Sequence, residues 1–175
     1  YVNEFYGKDR LGSISALSRY CKDAATGNSD LFTKNDCRVY ATSELSNSRY
    51  AITKYANSNV SMNITNVTDE KSLKLSTSRG NAEYANWIIY RLTDVMLMKA
   101  EACILKGEAE YETAFTLINA VNKRAHNYTT SAAKDTLVFD DYRTSQEKME
   151  QLLFDERNRE FMFEGKRWYD LVRMA

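Results

Sequence analysis

The segment that most restricts the fold is residues 90–106, YRLTDVMLMKAEACILK, because it is apolar on nearly every face of a helix. A helix that is apolar all round must be enclosed by other elements. Gly107 follows directly, and glycine is the residue most often found just past a helix end. The sequence therefore predicts a helix that ends at Lys106 and is packed among further helices.

A second helix is predicted over residues 110–126, where apolar residues recur at helical spacing. Two helices separated by so few residues form an antiparallel hairpin. The segments AEACILKG and YETAF resemble a tetratricopeptide hairpin, with small residues where the helices approach and a glycine at the turn. No second copy of this pattern occurs in the chain. The apolar stripe of the second helix consists of Tyr111, Ala114, Phe115, Ile118, Val121 and Ala125.

A last helix is predicted from about Ser145 to Phe163. It pauses at Gly165, because glycine interrupts helices, and it resumes through WYDLVRM, residues 168–174. The residues between the second helix and the last, 129–144, are expected to form a polar linker.

The helical section, residues 90–175, follows a loop-rich section, residues 26–89. A first helix is predicted over residues 10–25 from its apolar spacing. Residues 37–55 alternate enough to predict short strands. Residues 56–83 are dominated by Asn, Ser and Thr, which predicts a long polar loop with one short strand. The fold class is therefore mainly α, with helical hairpins, long loops and a few short strands.

Charge and cysteine content exclude several classes of protein. Lys+Arg and Asp+Glu are both 24, so the chain lacks the basic excess that nucleic-acid binding needs. There is no CxxC pair and the lone His126 has no ligand cluster near it, so we expect neither a metal site nor a cofactor. Cys103 is predicted to be a buried thiol, and a Cys21–Cys37 disulfide stays open. The chain has no 18-residue apolar run and opens without a secretory leader, and we interpret it as a fragment, or a matured product, of a longer protein.

The carboxylates of the last helix allow two interpretations. Glu156, Glu160 and Glu164 recur every four residues, and a glycosidase needs two acids that flank a sugar bond. However, one helix cannot place its own acids on opposite sides of a substrate, and Glu160 and Glu164 share a face with aromatic residues. Arg157 lies three residues before Glu160, close enough to bond it. We therefore interpret the motif as structural ion pairs. The candidates for such pairs are Asp94, Glu101, Arg124, Arg157, Glu160, Glu164, Arg167 and Asp170.

The helix predicted in the segment 90–106 also carries two acids on an apolar face. Asp94 and Glu101 are expected to pair with Arg91, Arg124 or an arginine of the last helix. Most of the aromatic residues, including Trp168, are predicted to lie in the core.

Three segments resemble the SusD/RagB family. They are YRLTDVMLMKAEA, residues 90–102; INAVNKRA, residues 118–125; and LLFDERNREFMFEGKRWYDLVR, residues 152–173. Asp94 stands where the family pattern usually has Glu, and Asn122 stands where it usually has Arg. The third segment matches most specifically, at Glu156, Arg157, Glu160, Glu164, Gly165, Arg167, Asp170, Leu171 and Arg173.

This resemblance implies that residues 1–175 are a carboxy-terminal SusD/RagB-like domain with the tetratricopeptide-like helices of the SusD fold. Similar proteins are lipid-anchored on the outer membrane of Bacteroidetes-type bacteria. They hold an oligosaccharide or other nutrient over a TonB-dependent transporter and are not enzymes. The lipid anchor is expected on sequence that is not present here.

No ligand-binding residue of the family transfers by motif. The best candidates for stacking on a sugar ring are Tyr84 and Trp87, because they adjoin the polar loop. Two alternatives stay open: a generic helical-repeat module for protein interactions, and a glycosidase that uses Glu156, Glu160 and Glu164.

Overall fold

The structure, a computed structural model, divides the chain into two compact units. The amino-terminal unit comprises residues 1–87 and 128–134, and the helical unit comprises residues 88–127 and 135–175. The residues that the structure describes are 31–32, 36–38, 42–46, 49–52, 58–63, 74–79, 88–126 and 137–174.

The helical unit begins with an antiparallel hairpin of α1, Leu92–Lys106, and α2, Tyr111–His126. Gly107 ends α1 with φ 104°, a conformation that side chains disfavour, and its N–H donates to the carbonyl of Ile104. A single 3-10 turn, Glu108–Glu110, then leads into α2. Both helices and the glycine stop therefore lie where the sequence predicts them.

The core of the helical unit joins α1 and α2 to a third helix, α4, Gln146–Glu160. Ser145 caps α4 by accepting a hydrogen bond from the N–H of Lys148 at 3.3 Å. Each fully buried aliphatic side chain in such a core contributes roughly 1.5–3 kcal/mol relative to exposure. The buried aliphatic and aromatic residues of the core include Leu97, Ile104, Tyr111, Phe115, Ile118, Met149 and Leu153.

Helix α1 is enclosed on one side only within the described residues. Leu97 and Ala100 are buried, whereas Leu92, Val95 and Leu105 are exposed. The all-round apolar character of this segment led us to expect apolar partners on every face, and the described residues supply them on one.

Two features of the segment after α2 differ from the prediction. A short helix, α3, Phe139–Tyr142, interrupts the expected polar linker, and the Phe139 ring packs 5.2 Å from that of Phe115. Helix α4 ends at Glu160, before the expected Phe163, and a turn over residues 161–165 follows. Apolar contact with Phe115 explains why Phe139 orders a helical turn there.

The last helix, α5, Arg167–Met174, is separate from α4 and does not continue its helical path. Phe163 and Gly165 adopt positive φ values of 64° and 73°, which interrupt the helical path between α4 and α5. The prediction that Trp168 lies in the core is wrong: it is 69% exposed. That prediction assumed that α4 and α5 form one continuous helix, so that Trp168 would lie on the buried face of α4. The turn between them changes the orientation of α5, and Trp168 faces solvent.

The amino-terminal unit contains two antiparallel hairpins. β1, Ser43–Ser46, pairs with β2, Arg49–Ile52, in the register Ser43 with Ile52. β3, Ser58–Asn63, pairs with β4, Lys74–Arg79, in the register Ser58 with Arg79.

The predicted strand at 49–52 is therefore present, and the polar loop contains two strands where one was expected. Arg38 and Thr42 are helical, not extended as the alternation suggested, and the Thr42 hydroxyl donates to the carbonyl of Arg38 at 2.8 Å. The predicted first helix, residues 10–25, lies outside the described residues.

The fold class is confirmed as mainly helical, in agreement with the helical fold of SusD-like proteins. Among the helices that the structure describes, none combines the length and apolar character that crossing a bilayer requires.

Candidate functional site

Buried carboxylates concentrate at the carboxyl end of α4 and in the turn that follows it. Glu156, Glu160 and Glu164 are 0%, 3% and 4% exposed. Asp94 of α1 and Asp170 of α5 are also buried. Because a buried carboxylate is costly without a partner, the partners of these groups decide what the site does.

Arg91 joins the start of α1 to the end of α4. Its Nη1 lies 2.5 Å from Oε1 of Glu160, and its Nη2 lies 2.8 Å from Oε1 of Glu164. Nη2 also donates to the main-chain carbonyl of Glu160 at 2.9 Å. Arg124 of α2 reaches the same Oε1 of Glu160 at 2.6 Å. The Glu160 carboxylate, on α4, is thus bonded both to Arg91 at the start of α1 and to Arg124 of α2. These charge-assisted hydrogen bonds link the three helices.

Arg157 makes a second cluster one helical turn before Glu160. Its Nε donates to both oxygens of Asp170, at 3.0 and 3.1 Å, and its Nη1 donates to Asp94 at 3.4 Å. Lys166 also bonds Asp94 and donates to the carbonyl of Ile89 at 3.0 Å. Arg157 therefore pairs with acids of α1 and α5, where the sequence had suggested its helical neighbour Glu160.

The two clusters meet at the ring of Phe161. The guanidinium carbons of Arg91 and Arg157 lie 4.7 and 5.1 Å from the ring centroid, and Nζ of Lys166 lies 5.0 Å from it. Phe161 is 3% exposed. A cation near an aromatic ring gains roughly 0.5–2 kcal/mol, more when it is shielded from water. Phe161 therefore adds a cation–π contact to each of these positive groups, beyond their bonds to the acids.

Glu156 has partners of its own. Oε2 accepts from Nε and Nη2 of Arg159 at 3.2 and 3.0 Å, and from Nδ2 of Asn122 at 3.1 Å. Asn122 stands where the family pattern usually has an arginine. The neutral amide of Asn122 donates a hydrogen bond to Glu156, and Arg159 places a positive charge beside the same carboxylate.

Electrostatics at this end of α4 favour the ionised form of Glu160. Burial by itself would raise the pKa of Glu160, but hydrogen bonds and charges of Arg124 and Arg91 lower it to about 2. Burial opposes the charge of Arg91, and its bonds to Glu164 and Glu160 raise its pKa above the usual value.

A glycosidase acid needs a raised pKa and access to the sugar oxygen. Glu160 has a lowered pKa, and all three glutamates are buried against arginines. This arrangement is suited to holding helices in register.

Every residue that the sequence named as an ion-pair candidate, except Arg167, forms a salt bridge among the described residues. Glu101 pairs with Arg173 at 3.1 Å, and the other pairs are those described above. Arg167 donates Nη1 to the carbonyl of Phe154 at 3.4 Å. The ligand-binding candidates Tyr84 and Trp87 lie outside the described residues. The pairing of Cys21 with Cys37 does so as well, because Cys21 is not described.

Sequence reasoning missed the central position of Arg91, which it considered only as a partner of Asp94 and Glu101. The available signal was its place directly before α1, where a side chain can turn back toward a neighbouring helix. It also missed Lys166, which is adjacent to a glycine and was assigned no role.

The described residues offer no metal centre: no three His, Cys, Asp or Glu side chains among them are grouped to hold an ion. His126 is buried, and its Nδ1 lies 2.8 Å from the carbonyl oxygen of Asn122. Cys103 is a buried thiol, as predicted.

Comparison with known proteins identifies the family. No curated protein and no solved structure gives a match. A profile of the SusD family matches residues 1–175. Proteins of this family are non-catalytic and bind glycans or other nutrients at the outer membrane. Since the match spans the whole sequence, the chain belongs to the SusD family.

Proposed function

We propose that this chain serves a protein that captures an oligosaccharide or other nutrient at the bacterial outer membrane. The protein would be held there by a lipid anchor on sequence outside this chain and would pass its ligand to a TonB-dependent transporter. The observation that carries the proposal is the family match over residues 1–175. This match favours nutrient capture over a generic helical-repeat module, because it extends beyond the α1–α2 hairpin.

The geometry of the acids supports a binding protein over a glycosidase. Glu156, Glu160 and Glu164 each have arginine or amide partners, and the pKa of Glu160 is lowered to about 2. A catalytic acid at neutral pH needs the opposite shift. The helical unit would then act as the scaffold, with ligand contacts supplied elsewhere.

Ligand contacts are proposed at Tyr84 and Trp87. Aromatic rings bind the apolar faces of sugars, and these two residues follow the polar stretch of residues 56–83. Further contacts are expected from sequence that precedes this chain.

Calorimetry with a panel of soluble glycans tests the proposal, using the longer protein that contains this chain. We expect saturable binding of at least one glycan without hydrolysis. Trp87→Ala should weaken it at least about tenfold, since about 1.4 kcal/mol corresponds to a factor of ten. Tyr169→Ala is the matched control, because Tyr169 is an exposed aromatic residue of α5 and lies outside the proposed site.

Two results would contradict the proposal. One is hydrolysis of a panel glycan that Glu160→Gln abolishes. The other is equal weakening by Trp87→Ala and Tyr169→Ala, which would remove Trp87 from the site. Delivery is tested separately, by isolating the protein from outer membranes in mild detergent. Absence of a TonB-dependent barrel from the isolated complex would count against the transporter as partner.

A further inference from the structure

Helix α5 is docked with its charged side inward. Of its eight residues, all of which the structure describes, only Asp170 is buried. Trp168, Leu171 and Val172 occupy one apolar stripe, at helical spacings of three and four residues, and all three are exposed. A surface helix normally buries its apolar stripe. In α5 the orientation is reversed.

Hydrogen bonds of charged side chains provide most of the contacts that dock α5. Besides the pairs between charged groups, Arg167 donates to the carbonyl of Phe154 and Arg173 lies near the Phe154 ring. Asp170 accepts from Nε of Arg157 at 3.0 Å and from Nη2 of Arg173 at 2.9 Å. Arg173 also donates to both carboxylate oxygens of Glu101, each at 3.1 Å. The exposed fractions are 42% for the Arg173 side chain and 23% for that of Glu101. The docked state therefore depends on charge pairing and gains little from apolar burial.

The physical cost of separating these groups is small when both partners regain water. Removing two charges from water offsets most of the attraction between them, so a buried pair gives little net stability compared with the solvated ions. Separation exposes no apolar side chain of α5, because none is buried there, and the apolar group that α5 approaches on α4 is the ring of Phe154, 5.9 Å from the Arg173 guanidinium carbon. By contrast, α1, α2 and α4 each bury several aliphatic side chains in the core.

We propose that α5 is a latch, a helix that releases and redocks as a unit while α1, α2 and α4 stay folded. The turn over residues 161–165, with Phe163 and Gly165 at positive φ, separates α5 from α4, and the hinge is the junction between Lys166 and Arg167. Lys166 stays attached through Asp94 and the carbonyl of Ile89, so release is confined to α5. Release brings Arg157 and Asp170 into water and allows the Trp168 stripe to turn. This inference does not depend on the proposed function.

Native-state hydrogen exchange tests the latch, with the chain as it stands and low denaturant concentrations. Amides of residues 171–174 should exchange at least about 100-fold faster than interior amides of α2, after correction for intrinsic rates. Their exchange should depend little on denaturant, because local release exposes little surface. Raising NaCl from about 0.05 M to about 0.5 M should accelerate it several-fold by screening the Arg173–Glu101 pair.

Two variants separate the effect of the ion pairs from simple fraying of a short helix. Glu101→Gln should accelerate exchange in α5 about threefold and leave α2 unchanged, the effect of losing one exposed pair. Glu112→Gln, an exposed position on α2, should leave α5 unchanged. The proposal is overturned if residues 171–174 share the protection and denaturant dependence of α4. It is equally overturned if their exchange is fast but indifferent to salt and to Glu101→Gln.

Discussion

Helices α1, α2 and the middle of α4 meet through aliphatic and aromatic side chains, whereas the end of α4 meets α1, α2 and α5 through carboxylates and guanidinium groups. In the first region, Leu97, Ile118 and Leu153 are fully buried. In the second, Glu160 and Asp170 are just as inaccessible but paired. Apolar contact is non-directional and insensitive to pH, while charge pairing is directional. The core therefore supplies stability that does not depend on pH, whereas the charged end supplies stability that does and also fixes which residue faces which.

The largest expected effect is on the charged end. Glu160→Ala removes the acceptor shared by Arg91 and Arg124, and leaves Arg91 partly buried with one acid fewer. Removing one partner of a buried pair costs roughly 3–5 kcal/mol. Denaturant unfolding should show that loss, and Lys148→Ala, on the exposed side of α4, should change the free energy of unfolding by less than about 0.5 kcal/mol. Equal small effects would mean that the acids are a solvated face.

The next effect is a pH dependence that Glu160 produces. Its pKa is about 2 in the folded chain and 4.5 when unperturbed. A lowered folded-state pKa gives stability that is fully present above pH 4.5 and is lost as the pH falls from there toward 2. The loss should approach about 3 kcal/mol.

Unfolding of the native chain and of Glu160→Gln at several pH values isolates this contribution. The difference between the two free energies should shrink between about pH 6 and about pH 3. A constant difference would show that the carboxylate charge does not stabilise the fold.

A smaller, pH-independent effect is expected in the apolar region. Ile118→Val removes one methylene from a residue with 0% exposure, which costs roughly 0.5–1.5 kcal/mol. The same loss should be measured near pH 7 and near pH 4, because no titrating group is involved. A loss that varies with pH would blur the distinction between the two regions.

The sequence predicted the helices well because their signals are local. Apolar spacing and Gly107 are sufficient to place α1 and α2, and Ser145 marks the start of α4. Trp168 was misplaced because its orientation depends on the turn before it, where Phe163 takes a positive φ that no local pattern announces.

The charged site was predictable in its members and less so in its pairings. Charged residues on an apolar helix face must find partners, which identified Glu160 and Asp170 as members of buried pairs. Which partner each takes depends on distant parts of the chain: Arg91 lies 69 positions before Glu160. Arg157, adjacent to Glu160 on the helix, bonds Asp170 instead. Helical spacing alone cannot distinguish these choices.

The central claim is that pairing, not the mere presence of charge, stabilises the end of α4. A double-mutant cycle of Arg91→Ala and Glu160→Ala, followed by denaturant unfolding, tests it most directly. The account predicts a coupling energy of at least about 1 kcal/mol near neutral pH, within the range of residues in one buried network. A coupling energy below about 0.3 kcal/mol, as for exposed ion pairs that contribute little, would contradict it.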